Sequence, residues 1–286
     1  MIRLDAATVL LQWAVGGMAF CWFTTRRRMV GLGYGWLLRS VYLVMALGAF
    51  ALGVAFGAVA VREVAAVGVA VGCLIALAVS IARRRVGVRG QQAEHDRRTA
   101  RVAAMTGIER AGAAPPTTLT APEFPPVLDL LPVAIGIVGL VAAGVDAGGN
   151  TAVAVLRTLA GAAFLGAVTD AMLLGHWYLV QPGLPRQLLH EQVDAVGWVW
   201  PVEVVALLLP TGMVSVWTGA VDDGWGGVLG WFWAACAVTT IVLVGVTKAA
   251  LREREYSAVM AATGLLYLAI LTAFGTDMVA RAVLSG

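Results

Sequence analysis

The sequence predicts an all-α, polytopic membrane helix bundle, and three observations lead to this fold class. Hydrophobic residues make up 60% of the 286-residue chain and charged residues only 13%, whereas ordinary soluble domains carry about 25% charged residues. The mean hydropathy is +0.84. Apolar stretches of about 20 residues, the length that crosses a bilayer core, recur along the chain. This composition excludes a cytosolic enzyme, a nucleic-acid-binding protein and a disordered chain.

Eight stretches are long and apolar enough to be transmembrane helices. They cover residues 6–24, 37–61, 64–82, 127–146, 151–181, 195–218, 225–247 and 256–283. Arg62-Glu63 is predicted as a tight turn between the second and third helices. The hydrophilic segment 83–126 separates three helices in residues 1–82 from five helices in residues 127–286. We expect this segment to be a basic, amphipathic loop followed by a Pro-rich linker.

The basic residues predict how the chain is oriented in the membrane. With eight helices, 16 of the 20 Lys and Arg residues fall at one end of the bundle. The positive-inside rule places that end, including segment 83–126, in the cytoplasm and both termini in the periplasm. A single Lys among many Ala, Gly, Val and Arg residues favours a bacterial protein of the inner membrane. The expected partners are the lipid bilayer and other membrane subunits, and no nucleic acid.

Small residues and cysteines indicate packing between the helices. Pairs of small residues four positions apart, which allow close helix contact in lipid, are Gly53/Gly57, Gly68/Gly72 and Ala162/Gly166. The three cysteines, Cys21, Cys73 and Cys236, stand in apolar stretches. Their spacing matches no metal-ligand pattern, so we expect packing residues and no metal site.

Ionisable residues inside the predicted helices are the first candidates for function, because such groups are costly in a bilayer. They are Arg157, Asp170, His176, Glu203, Asp277 and Arg281. From the predicted helix ends, Asp170 lies about 16 Å and Glu203 about 13 Å from the cytoplasmic side. Both acids are expected to meet between neighbouring helices, where at least one would hold a proton. Asp170 and Glu203 therefore form the candidate proton relay, with His176 leading to the cytoplasm.

Two alternatives concern these charged residues. The two acids are equally well interpreted as a structural, hydrogen-bonded pair that locks their helices together. Asp277 and Arg281 are four residues apart, which places them on one helix face and predicts a structural ion pair. Arg157 is expected at a similar depth, near the periplasmic side.

Aromatic residues near the predicted cytoplasmic boundary give a second candidate site. His176, Trp177, Tyr178 and Trp198 are predicted to border one cleft that binds a quinone, with the histidine as its hydrogen-bond partner. An ordinary aromatic belt at the membrane interface is the alternative. His176 and His190 could also ligate a b-type haem. That interpretation is disfavoured because His190 is predicted in a loop, so the cofactor stays open.

Three functional hypotheses follow from these residues. The first is a redox-associated subunit of a respiratory-type membrane complex that contacts quinone or conducts protons. The second is a proton- or cation-coupled transporter of a small solute that uses the same acids. The third is a structural or assembly subunit without a site of its own.

Overall fold

The computed structural model of the chain describes residues 2–88, 122–253 and 255–285, and within these ranges it contains helices and no strand. The helices are α1 (Ala6–Thr25), α2 (Leu32–Phe56), α3 (Ala60–Ala82), α4 (Leu130–Asp146), α5 (Thr151–Val180), α6 (Gln187–Leu208), the short α7 (Val214–Trp217), α8 (Val228–Ala250) and α9 (Tyr256–Leu284). Seven of them, all except α6 and α7, are long and apolar enough to cross a membrane. The chain is therefore a multi-pass membrane protein.

Helix α6 differs from the predicted helix 195–218. It starts eight residues earlier and ends at Leu208, because Pro210 forces the preceding residue Leu209 into an extended conformation. Its first turns are amphipathic, with Leu188 and Leu189 buried among polar neighbours, so mean hydropathy does not reveal them. The prediction that His190 lies in a loop is wrong, since His190 belongs to the first turn of this helix.

The turn between α2 and α3 also differs from the prediction. Helix α2 ends at Phe56 and α3 begins at Ala60, so the turn is formed by residues 57–59. Arg62 and Glu63 lie in the first turn of α3, where both are buried and form an ion pair at 2.6 Å. Burial of this pair explains why the charged dipeptide does not form the turn. The basic segment and linker predicted in 83–126 lie mainly in residues 89–121, outside the described residues.

The long helices pack as two groups of four that share one interface. In the first group, α1, α2, α3 and α4 contact one another in sequence, and α4 closes the ring against α1. In the second group, α5, α6, α8 and α9 do the same. Helix α5 joins the groups by packing against both α1 and α4. Each group thus encloses an interior in which polar side chains can be buried.

Glycines set the closest helix contacts. A Cβ atom at Gly16 on α1 would collide with the carbonyl oxygen of Ala162 on α5, and one at Gly166 would collide with the backbone of Gly16. The predicted pair Ala162/Gly166 is therefore a backbone-to-backbone contact between α1 and α5. Gly57, in contrast, lies in the turn after α2, and no atom of the described residues would lie within 4 Å of a Cβ there.

Polar contacts link the loops at each end of the bundle. At one end, which we call the arginine-rich end, Arg27 pairs with Glu191 at 2.6 Å and Arg28 with Glu123 at 2.8 Å. At the opposite end, Arg3 pairs with Asp146 at 2.7 Å. The sides between the ends expose large apolar side chains, such as those of Val64, Leu74, Trp231, Phe232 and Leu271. This surface suits contact with lipid.

Candidate functional site

Asp170 is buried in the first group of helices and is hydrogen-bonded to a tyrosine. Its side chain on α5 is 0% exposed, and the Tyr42 hydroxyl on α2 donates to Oδ1 at 2.5 Å. Gly17 on α1 makes this bond geometrically feasible, because a Cβ atom there would overlap the Tyr42 ring. The second carboxyl oxygen, Oδ2, has no hydrogen-bond partner in the described part of the chain. Asp170 is thus a half-satisfied carboxyl group in an apolar interior.

Glu203 is buried in the second group of helices beside the carboxyl group of Asp277. Its side chain on α6 is 0% exposed, and no hydrogen-bond donor among the described residues reaches either of its carboxyl oxygens. The charged groups that act on it are Asp277, Arg281 and Arg157. An ionised carboxylate has no proton to donate, so a hydrogen bond between Glu203 and Asp277 requires that one of the two acids holds a proton. A buried pair of acids of this kind calls for a functional explanation.

The ion pair beside Glu203 is the one that the sequence predicts, between Asp277 and Arg281. Arg281 donates from Nε to Asp277 Oδ2 at 2.7 Å and from Nη2 to Oδ1 at 3.0 Å, and both side chains are buried. This confirms the ion pair predicted from the four-residue spacing. Gly161 on α5 faces this pair, because a Cβ atom there would lie 2.9 Å from Asp277 Oδ1.

Arg157 binds backbone rather than an acid. Its guanidinium donates to the carbonyl oxygens of Ala206 at 2.9 Å, Leu209 at 2.8 Å and Thr211 at 3.2 Å. The last carbonyls of a helix lack partners within the helix, so Arg157 caps the end of α6. It therefore supplies positive charge near Glu203 without a hydrogen bond to it.

Asp170 and Glu203 do not meet as the sequence predicted. Asp170 faces Tyr42 on α2, whereas Glu203 faces α9, and no hydrogen bond or ion pair in the described part of the chain joins the two acids. The longer α6 explains the difference. From the arginine-rich end, Glu203 lies 16 residues along α6, about 24 Å, while Asp170 is 10 residues from the end of α5, about 15 Å. The bundle contains two separate carboxyl sites.

A third buried charge cluster was missed by the sequence analysis. Arg39 donates to Asp129 from Nε at 2.7 Å and from Nη2 at 2.8 Å, with side chains 2% and 0% exposed. Thr25 donates a further hydrogen bond to Asp129 at 3.1 Å. In the sequence, this pair is indicated by Arg39, a charged residue within the apolar stretch 32–56. The predicted helix began at residue 37, so Arg39 lay near its end and was counted with the arginines of the loops. The signal was therefore overlooked.

The aromatic residues predicted to form a quinone cleft point in different directions. His176 is exposed, and its Nδ1 lies 3.3 Å from the Tyr267 hydroxyl on α9. Trp177 packs edge-on against Tyr34 with ring centroids 5.7 Å apart. The Tyr178 hydroxyl is turned inward and donates to the Pro185 carbonyl at 2.6 Å.

Trp198 is 78% exposed and has no ring contact with the other three among the described residues. His190 contacts the Leu251 carbonyl through Nε2 at 3.2 Å. The structure therefore does not gather the four predicted cofactor-binding residues around one cleft. What it does bring together is His176 with Tyr267.

Metal ligation and similarity to known proteins add no further site. Within the described ranges, no three His, Cys, Asp or Glu side chains are placed to hold a metal ion. No family model, curated protein or solved structure matches the chain. The functional argument therefore depends on the two buried carboxyl groups and their surroundings.

Proposed function

We propose that this membrane protein conducts protons as a subunit of a redox-associated, respiratory-type complex, and that Glu203 and Asp170 hold the proton in transit. One observation carries this proposal: Glu203 is completely buried against the carboxyl group of Asp277, and no hydrogen-bond donor among the described residues reaches its carboxyl oxygens. An ionised carboxylate without a partner costs several kcal/mol in an apolar interior. Binding a proton removes that cost, so the resting side chain is a neutral carboxylic acid.

The surrounding charges allow Glu203 to release its proton as well as to hold it. When Glu203 is neutral, the cluster holds Asp277 with one negative charge against Arg281 and Arg157 with two positive charges. When Glu203 is ionised, two negative charges balance two positive ones. Each protonation state therefore has a compensating feature, apolar burial for the neutral form and Arg157 for the ionised form. Such a balance is what a reversible proton carrier requires.

The surroundings of Asp170 also favour both of its protonation states. Complete burial favours its neutral form, whereas the hydrogen bond from Tyr42 favours the ionised form. Ionisable groups inside membrane bundles commonly mark proton relays. Asp170 and Glu203 thus provide two stations at different depths.

Infrared spectroscopy of the protein in lipid nanodiscs tests whether Glu203 holds a proton. At neutral pH we expect the carbonyl stretching band of a protonated carboxylic acid, and we expect Glu203→Gln to remove one component of it. Asp194→Asn is the matched control, because Asp194 lies on the same helix but is 47% exposed and pairs with Lys248 at 2.6 Å. A band that is unchanged in Glu203→Gln contradicts the proposal.

Quinone contact is a second candidate function, and the pair His176–Tyr267 is the observation that favours it. Both side chains are exposed on the outer surface of the bundle, about 6 Å before the end of α5 at 1.5 Å per residue. An imidazole and a phenol side by side can donate hydrogen bonds to a quinone carbonyl that approaches from the lipid. The binding surface would then be this pair rather than a cleft with Trp198.

Quinone retained through purification tests this candidate. We expect His176→Ala to lower the quinone content of the purified protein or complex without loss of assembly, since an exposed ring can be truncated without opening the core. Trp198→Ala is the control, because Trp198 is exposed at a different place on the surface. Equal quinone content in His176→Ala and wild type would exclude the His176 contact.

The other two hypotheses differ from proton conduction in the role they give the buried charges. A structural subunit needs only paired charges, and Arg39–Asp129 and Asp277–Arg281 meet that description. A transporter would use Glu203 to couple a solute to protons. Both hypotheses also predict a stable bundle, so variants of Glu203 distinguish proton conduction from a purely structural role.

A further inference from the structure

Glu203 belongs to a buried pair of acids whose other member is already bound to an arginine. Asp277 on α9 accepts hydrogen bonds from Arg281 at 2.7 Å and 3.0 Å, and a hydrogen bond joins its carboxyl group to that of Glu203. An ionised carboxylate accepts hydrogen bonds and cannot donate them. Because the two bonds from Arg281 favour the ionised form of Asp277, the proton of the pair lies on Glu203, whose hydroxyl group donates to Asp277.

Arg281 connects this pair of acids with a polar cleft at the end opposite the arginine-rich end. Its Nε and Nη2 atoms bind Asp277, while Nη1 donates to the backbone carbonyl oxygen of Arg3 at 3.4 Å. Arg281 also lines the cleft, together with Arg3, Asp146 and Thr158. Arg3 and Asp146 are exposed, so the cleft opens to water at this end.

Gly161 on α5 allows the polar side chains around the pair to converge. A Cβ atom there would lie 2.8 Å from Gln12 Nε2, 2.9 Å from Asp277 Oδ1 and 3.2 Å from Arg281 Nη2. Gln12 on α1 is completely buried, and its Nε2 donates at 2.6 Å to the carbonyl oxygen of Thr158, a residue of the cleft. Its Oε1 has no partner among the described residues. Gln12 therefore lies next to both the cleft and Asp277, and its free oxygen can accept a hydrogen bond from a water molecule there.

In the opposite direction, the same face of α9 is apolar. The residues one, two and about three turns from Asp277 toward the arginine-rich end are Ala273, Ala269 and Leu266, and all are 0% exposed. Close-packed apolar side chains exclude water. Arg281 lies one turn from Asp277 on the other side, and α9 ends three residues after it. On this face of α9, polar groups therefore extend from the acid pair toward the cleft and not toward the arginine-rich end.

We propose that the Glu203–Asp277 pair exchanges its proton with water at the end opposite the arginine-rich end, through the cleft that Arg281 lines. In release, Glu203 gives its proton to Asp277 and stays ionised beside Arg157, while Asp277 passes the proton to water in the cleft and becomes a carboxylate again. In uptake, a hydronium ion protonates Asp277, and the proton moves on to Glu203. Asp277 is thus a second proton carrier, and Arg281 is a positioning residue that favours the return of Asp277 to its ionised form. This inference rests on the proposed role of Glu203 as a proton carrier.

Hydrogen–deuterium exchange of the Glu203 carboxyl group tests the route. The infrared band of protonated Glu203, assigned by its loss in Glu203→Gln, is followed after the protein in nanodiscs is mixed with D₂O. Ala147 lines the cleft, so N-ethylmaleimide attached to Ala147→Cys fills it. We expect this label to slow the exchange about 100-fold, the lower end of what a positioned proton-transfer group contributes.

The same label at the other end of the bundle is the matched control. Leu32 lines a cleft at the arginine-rich end, so labelled Leu32→Cys should exchange at the wild-type rate. The native cysteines are buried, and wild-type protein treated with N-ethylmaleimide checks that they do not affect the exchange.

Asp277→Asn tests the part that Asp277 plays. In this variant Glu203 replaces Asp277 as the acid beside Arg281, so we expect Glu203 to become ionised and its band to disappear. A Glu203 band that persists in Asp277→Asn would overturn the sharing of one proton by the two acids.

The labelled variants decide which end of the bundle the pair opens to. Exchange at the wild-type rate in labelled Ala147→Cys, or slowed exchange in labelled Leu32→Cys, would overturn the route, as would a Glu203 band that is absent from the wild-type protein. Exchange slowed only by the label at Ala147→Cys, in a protein that conducts no protons across vesicles, would support the route and contradict the proposed function.

Discussion

Replacing Asp129 by alanine is expected to destabilise the folded protein by about 3–5 kcal/mol, the effect of breaking a buried ion pair from one side. Asp129 accepts two hydrogen bonds from Arg39 and one from Thr25. Without it, the Arg39 guanidinium, which is 2% exposed, keeps its charge in an apolar interior. The free energy of unfolding in mixed detergent micelles measures this effect.

Two control variants show whether the loss of stability comes from breaking the buried ion pair or from the substitution by alanine itself. Asp146→Ala breaks the surface pair with Arg3, whose side chains are 46% and 59% exposed, and should lower stability by at most about 1 kcal/mol. The double variant Arg39→Met, Asp129→Leu should recover most of the loss, since apolar replacement of a buried pair is often neutral. Equal destabilisation by Asp129→Ala and Asp146→Ala would show that the buried pair Arg39–Asp129 contributes no more to stability than an exposed pair.

Glu203→Gln is expected to lower proton conduction at least about 100-fold, since the glutamine amide cannot bind and release the proton that a positioned carboxyl group transfers. Glutamine matches glutamate in size and is neutral, like the protonated acid, so the helix packing should persist. The initial rate of proton uptake into proteoliposomes measures conduction. An unchanged melting temperature would show that the loss does not come from unfolding.

Most of the fold follows from the sequence because long apolar runs report directly on helices in lipid. The predicted helices 6–24 and 256–283 match α1 and α9 to within one residue at each end. The start of helix α6 was misplaced because only one face of its first turns is apolar and packs against the core, while the other face is polar. A search for apolar runs cannot detect such an amphipathic start, although helical periodicity of Leu188, Leu189, Val193 and Val196 would have indicated it.

The candidate site was only partly accessible from the sequence. Depth arithmetic identified Asp170 and Glu203 as buried acids, and both are 0% exposed. Their partners depend on long-range packing that no local pattern encodes. Tyr42 is 128 residues from Asp170 in the chain.

The distribution of charges explains one further error in the predicted site. Arg39 was counted with the loop arginines that orient the chain, because a predicted helix boundary at residue 37 left it near the surface. Residues 32–36 add about one and a half turns to the start of the helix. They bring Arg39 inside, where Asp129 neutralises it. The predicted orientation does not depend on this one residue, because the sequence assigns 15 other basic residues to the same end.

Proton flux in vesicles tests proton conduction most directly. Liposomes that contain the purified protein and a pH-sensitive dye are given an inside-negative potassium diffusion potential, and acidification of the interior is recorded. The account predicts acidification faster than in protein-free liposomes, reduced to that background by Glu203→Gln and retained in Asp194→Asn. Acidification of wild-type vesicles at the protein-free rate, or full activity of Glu203→Gln, would contradict it.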